Sequence, residues 1–90
     1  GQKCYEEAKN FLKNLIEGKE VYLERDKVDR DKYGRLLRYV YYNSTMINLL
    51  LIKEGYAFIF YDKENRKYFN ELKEAYIYAK ENKIGCLWKD

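Results

Sequence analysis

Between residues 31 and 41 the chain reads Asp31-Lys32-Tyr33-Gly34-Arg35-Leu36-Leu37-Arg38-Tyr39-Val40-Tyr41. Residues of these types at this spacing suit phosphate chemistry. Gly34 supplies the backbone freedom that a tight turn needs, and the alternating run behind it reads as a strand. Arg35 therefore stands at the entrance of a rigid element, which can aim its planar fork at a phosphate. The plainer reading of Arg35 is an exposed turn arginine. Lys32 alone reads as a solvated loop lysine. Tyr61 offers a ring on which a base of any identity can stack, although an aromatic residue more often belongs to a core.

Other chemistries fit less well. Asp26, Asp29 and Asp31 invite a metal reading, but Asp-x-x-Asp-x-Asp is not the EF-hand pattern, and no Glu falls at the twelfth position from Asp26 or Asp29. They are expected to balance the adjacent cations. Arg25, Lys27, Arg30, Lys32, Arg35 and Arg38 form one basic run and Lys63, Arg66 and Lys67 a second, in a chain of net charge +3. Such a balance permits a polyanionic partner without requiring one, and a solvated face is the alternative. The absence of His removes the Ser/His/Asp and Cys/His arrangements. Cys4 and Cys86 lie near opposite ends with no Cys-x-x-Cys, which argues against zinc. Separate thiols are the expected state of the two cysteines, and a disulfide joining them is the alternative.

The elements that would position these residues can be read from periodicity. Ala8, Phe11, Leu12, Leu15 and Ile16 mark a helix from about Cys4 to Glu17, stopped by Gly18. A strand at 20–24, a charged hairpin loop at 26–34 and a returning strand at 36–42 follow. After a turn at Asn43-Ser44, a short helix runs to Lys53, capped by Ser44 or Thr45 and ended by Gly55. Residues 56–61 read as a short strand or extended segment. The last helix spans about 64–82, with Phe69, Leu72, Ala75, Tyr76 and Ala79 on one face and Asp62 as its cap. Asn48 is expected to bond backbone near the turn at Gly34.

Ninety residues make one domain, 1–90, with a modest core. Its 11 tyrosines extend that core toward a wet rim, since their hydroxyls stay hydrated. Charged residues at 37%, with few labile side chains, resemble thermophile usage. No apolar run approaches the ~20 residues that span a membrane, and localisation is left open.

The sequence resembles the staphylococcal-nuclease-like (thermonuclease) family. The resemblance is carried by four blocks in order: Glu7-Ala8 with Phe11; Val21 to Glu24; Asp31, Tyr33, Gly34, Arg35, Leu37, Tyr39, Val40 and Tyr41; and Ile47-Asn48, Leu50-Leu51 and Gly55-Tyr56-Ala57, with a closing Leu87-Trp88. It implies an α+β fold, a partial OB-like β-barrel with three helices. It also implies calcium-dependent hydrolysis of DNA or RNA, with Arg35 catalytic and Lys32 and Tyr33 on a terminal nucleotide phosphate. In the family, three strands precede the first helix and carry two calcium-binding aspartates, a second arginine and a glutamate. No residue before Cys4 matches them, and Arg38 stands where the family more often has a small residue. The expectation is therefore an N-terminally truncated domain, inactive alone and binding no calcium by itself. It would cover its open sheet by self-association or with an upstream segment. The alternative is a non-catalytic OB-like module that binds nucleic acid or protein.

Overall fold

The computed structural model describes residues 4–59 and 64–89. Tyr61 and the expected cap Asp62 lie outside the described residues. Helix α1 (Tyr5–Ile16) leads into strands β1 (Tyr22–Glu24), β2 (Tyr39–Tyr42) and β3 (Thr45–Met46). Helices α2 (Ile47–Lys53), α3 (Phe69–Glu81) and α4 (Gly85–Trp88) follow. The strands form an open antiparallel sheet in the order β1-β2-β3. This is the α+β arrangement expected of a partial OB-like barrel, with the single turn of α4 added to the three expected helices.

The strands are shorter than their alternation suggests. Leu36 joins only an isolated bridge to Arg30, and β2 begins at Tyr39. Between β1 and β2 the chain makes a separate small hairpin, where the Asp31 side chain takes up the backbone N–H groups of Tyr33 and Arg35. Asn43 and Ser44 both have positive φ, 53° and 67°, as a two-residue hairpin turn of the primed type demands. That turn pairs Thr45 with Tyr42. Neither Ser44 nor Thr45 caps α2, which starts after Met46 with no side-chain cap. α3 begins at Phe69 rather than 64, because the residues before it are occupied elsewhere. The backbone N–H of Lys67 donates to Asp26 at 3.0 Å, and Asn65 binds Val28. Residues 56–59 form no strand.

Register divides the sheet into two faces. Tyr22, Leu23 and Glu24 oppose Tyr41, Val40 and Tyr39. Side chains alternate along a strand, so Glu24 and Tyr39 turn toward the core while Leu23 and Val40 take the other side. Val21 and Leu23 are exposed, as an open sheet would leave them, but Tyr39 is buried against Ile52, Leu72 and Ala75. Tyr39 therefore does not share the open face with Val21 and Leu23. Leu37 lies outside the strand.

The five apolar residues chosen for α1 are its half-buried ones, yet none is fully buried. The Phe11 ring lies 4.7 Å from that of Tyr56, and the helix is also tied down by its N-terminal link. That link corrects the expected thiols: Cys4 and Cys86 form a disulfide, with Cα atoms 5.9 Å apart. Beside that link, Gly55 and Gly85 bring the end of α2 onto the start of α4. A Cβ on Gly55 would meet the Ile84 carbonyl oxygen at 1.8 Å, and the Gly55 carbonyl accepts from Leu87 N–H at 3.0 Å. Only glycine permits so close an approach.

Candidate active site

Asp31 organises the hairpin that carries Arg35. One carboxylate oxygen accepts the backbone N–H groups of Tyr33 and Arg35, both at 2.9 Å. The other accepts Nε of Arg35 at 2.6 Å. Gly34, at φ +82°, donates to the Asp31 carbonyl and closes the turn. Asp31 thus folds the turn and holds the guanidinium, while the Arg35 side chain stays 59% exposed. Burial works against the Asp31 charge, but the hydrogen bonds from the backbone and side chain of Arg35 outweigh it. The carboxyl therefore sits below the ordinary aspartate range.

Arg35, exposed at its edge, lines a cleft of about 360 Å³ together with Arg38 and Asp31 and with apolar Leu51, Ile52, Phe58 and Leu72. Tyr33 stands next to it and is strongly exposed. The Lys32 ammonium is 5.2 Å, and the Arg35 guanidinium carbon 5.3 Å, from the Tyr33 ring centre. Of the residues singled out by sequence, Arg35, Lys32 and Tyr33 are brought together on one exposed turn. Tyr61 lies outside the described residues.

Four side chains fix this hairpin on the body of the protein. Asn65, buried, accepts Val28 N–H at 2.7 Å and donates to the Val28 carbonyl at 3.0 Å. Asn48 accepts Val40 N–H at 2.7 Å and donates to the Arg38 carbonyl at 3.1 Å, the backbone role expected of it. Asp26 accepts the Tyr39 hydroxyl at 2.6 Å and Lys67 N–H. Glu24 accepts the Lys67 ammonium at 2.8 Å and the Tyr68 hydroxyl at 2.9 Å. Lys67 and Tyr68 hold the Glu24 carboxyl below its ordinary range. Burial opposes the Asp26 charge, and the Tyr39 and backbone bonds restore it. Desolvation first, then Asp26, pushes the Tyr39 phenol up. Asn65 escaped the sequence reading, because a lone Asn in a polar loop gives no sign that its partner is a backbone 37 residues away.

The expectation that the hairpin aspartates balance nearby cations holds for two of the three. Asp29 takes the Arg38 guanidinium at 2.6 Å, with Arg25 at 3.6 Å and Arg30 at 3.9 Å, and Arg38 is the main cause of its lowered pKa. Asp31 takes Arg35, and Asp26 serves Tyr39 and backbone instead. These engagements decide the fit to calcium, which takes six to eight oxygen ligands. Each hairpin aspartate is committed to protein donors. Among the described residues, no three or more His, Cys, Asp or Glu gather where a metal could sit. The described residues do not fit a calcium site. Nor, among the described residues, is any helix long and apolar enough to cross a membrane.

Comparison with known proteins gives this geometry a context. The family model for staphylococcal nuclease homologues matches residues 1–90. An uncharacterized protein of Bacillus anthracis is 45% identical over 86 residues, covering 93% of this chain and 40% of that protein. The SPbeta prophage-derived endonuclease YokF of Bacillus subtilis is 41% identical over 85 residues, 92% of this chain and 28% of its own length. The thermonuclease of Staphylococcus hyicus is 37% identical over 84 residues, 93% and 49% respectively. The chain thus spans less than half the length of each of these curated relatives.

Proposed function

This chain belongs to the staphylococcal nuclease homologue family, and from that membership we propose that it carries the catalytic arginine of a nuclease hydrolysing phosphodiester bonds in DNA or RNA. The observation that carries the reading is the Asp31–Arg35 pair: an exposed guanidinium held through Nε at the rim of a cleft. A fork fixed in this way offers charge and directed donors to the equatorial oxygens of phosphorus as it becomes five-coordinate. Stabilisation placed where charge develops acts on the transition state rather than on the bound substrate. Lysine, a point charge on a flexible stem, would not reproduce that fork. Lys32 and Tyr33 serve a terminal nucleotide phosphate, and Tyr61 offers a ring on which a base stacks.

In this reading the intact protein is calcium-dependent. The hairpin aspartates are committed to arginines, tyrosine and backbone, so the metal-binding and water-activating groups lie elsewhere in the whole protein. This chain by itself is inactive. The same commitment of carboxylates is what favours the second reading, a non-catalytic module that binds nucleic acid or protein.

The test is cleavage of labelled single-stranded DNA, double-stranded DNA and RNA by the full-length protein and by Arg35→Ala. Loss of one transition-state donor lowers the rate by about 10²–10³, and Arg35→Lys restores little of it. Equal turnover in wild type and Arg35→Ala would remove Arg35 from the chemistry. Binding without cleavage by the full-length protein would select the non-catalytic module. Robust cleavage by residues 1–90 alone would overturn the view that the remaining groups lie elsewhere.

A further inference from the structure

We propose that Arg25 and Arg30, gathered on Asp29, form a second phosphate site for a single-stranded polynucleotide, one step along the hairpin from Arg35. The inference rests on the nuclease reading above and extends it to a flanking nucleotide. Three guanidiniums converge on the single carboxylate of Asp29, and they are not equivalent. Arg38 is consumed: it pairs with Asp29 at 2.6 Å, donates to the carbonyls of Asp29 and Leu37 at 3.2 and 3.0 Å, and is only 20% exposed. Arg25 and Arg30 approach Asp29 at 3.6 and 3.9 Å, with side chains 62% and 57% exposed. These separations exceed the 2.7–2.9 Å of a charge-assisted hydrogen bond. Arg30 donates one further bond, to the Gly34 carbonyl at 2.8 Å. Each guanidinium carries five N–H donors, and one carboxylate cannot engage three of them.

The result is a local excess of positive charge, and it is concentrated. Residues 25–38 hold six cations against three aspartates, an excess equal to the whole chain's net charge of +3. The rest of the protein is therefore balanced, and a polyanion is drawn to this ribbon. The spacing suits a chain of phosphates. Leu37 N–H donates to the Asp29 carbonyl, and Asp31 N–H to the Arg35 carbonyl, so Asp29 and Asp31, the carboxylates on which the two cationic centres gather, sit two residues apart on the ribbon. At about 3.3 Å per residue that is roughly 7 Å, close enough for one extended strand to meet both. The exposed Tyr33 ring stands beside Arg35 as a platform for stacking. Backbone charge combined with stacking recognises single strands with little regard to sequence.

The experiment compares oligothymidylates of two and eight nucleotides, labelled at one end. Their binding to full-length protein is followed by fluorescence anisotropy across a series of KCl concentrations, with chelator present to suppress cleavage. The variants are Arg25→Gln/Arg30→Gln, Arg25→Lys/Arg30→Lys and Arg35→Ala. The glutamine pair is expected to weaken octamer binding several-fold and to lower the salt slope by about 1.4, or ~0.7 per lost contact on a single strand. Dimer binding and the thermal midpoint stay as in wild type, and the lysine pair keeps most of the slope. An unchanged octamer affinity and slope in the glutamine pair, with Arg35→Ala weakening both oligonucleotides, would overturn the second site alone. So would equal losses on dimer and octamer, which would report a diffuse field. If wild type bound neither oligonucleotide, the nuclease reading would fall along with it.

Discussion

Reducing the Cys4–Cys86 bond should cost this protein a large part of its thermal stability, beginning at α1. The bond joins residues separated by 82 positions and so closes nearly the whole chain. In the chain-entropy account, a loop of that length removes about 15 cal/mol/K from the unfolded ensemble, or about 4.5 kcal/mol at 25 °C. A 90-residue domain unfolds with roughly 190 cal/mol/K near its midpoint, at about 2.1 per residue. The ratio of the two figures is a drop of about 20–25 °C. The structure also says where the loss starts. α1 has no fully buried residue, its apolar face is only half-buried, and the bond at Cys4 ties its N-terminus to the body. Circular dichroism melts with and without reductant, and of Cys4→Ala/Cys86→Ala, read the midpoint, and hydrogen exchange reads α1. Reduced and oxidised proteins melting within about 3 °C, with α1 amides equally protected, would refute the reasoning.

Three further outcomes are expected. Stability should form a plateau between about pH 5 and pH 10. The pKa values of Glu24, Asp26, Asp29 and Asp31 are lowered on folding from ordinary values of 4.5 for Glu and 3.8 for Asp, so their contribution is full above those values and lost as pH falls through the folded ones. Tyr39 and Tyr41, raised from 10.0, contribute below that value and lose the contribution as pH rises; a melting midpoint that stays flat from pH 5 to pH 3 would contradict the acid limb. Gly55→Ala should destabilise by at least about 2–3 kcal/mol, because its Cβ would strike the Ile84 carbonyl at φ +77°; urea melts matching wild type would disprove the close approach. The exposed Val21, Tyr22 and Leu23 lie on or beside the edge strand β1, and such edges pair with other strands. Isolated residues 1–90 should therefore self-associate, and light scattering from a compact monomer at every concentration would show that the sheet covers itself.

How much of this could be read from sequence depended on the range of the interactions. α1 and its apolar face were legible because periodicity is local, and so was the Tyr33-Gly34-Arg35 turn, where each residue type has one conformational purpose. The disulfide was not: nothing local says that Cys4 and Cys86 end 5.9 Å apart in Cα position. The start of α3 was missed for a related reason. Residues 64–68 satisfy helical spacing, but the aspartate of a distant hairpin claims the Lys67 N–H. At the site, the sequence pointed to Arg35 and to the charge balance around it. It did not distinguish Arg38, consumed on Asp29, from Arg25 and Arg30, which lie along the same basic run.

The long-range polar contacts of the hairpin trace to the shortness of the sheet. β1 has three residues and β3 has two, so the ladder alone cannot hold the 26–38 ribbon in place. Short polar side chains take over the work of absent strand partners. Asn48 gives Val40 and Arg38 the acceptor and donor that a neighbouring strand would offer. Asn65 does the same for Val28, and Asp31 for the turn itself. A buried amide that satisfies both groups of one residue fixes position and rotation together, since a shift would leave an unpaired N–H and C=O at a cost of about 1–3 kcal/mol each. Rigidity at Arg35 therefore does not require a long sheet. It rests on short side chains that bond the backbone directly, Asn48, Asn65, Asp26 and Asp31, with Glu24 tying β1 to Lys67 and Tyr68 alongside them.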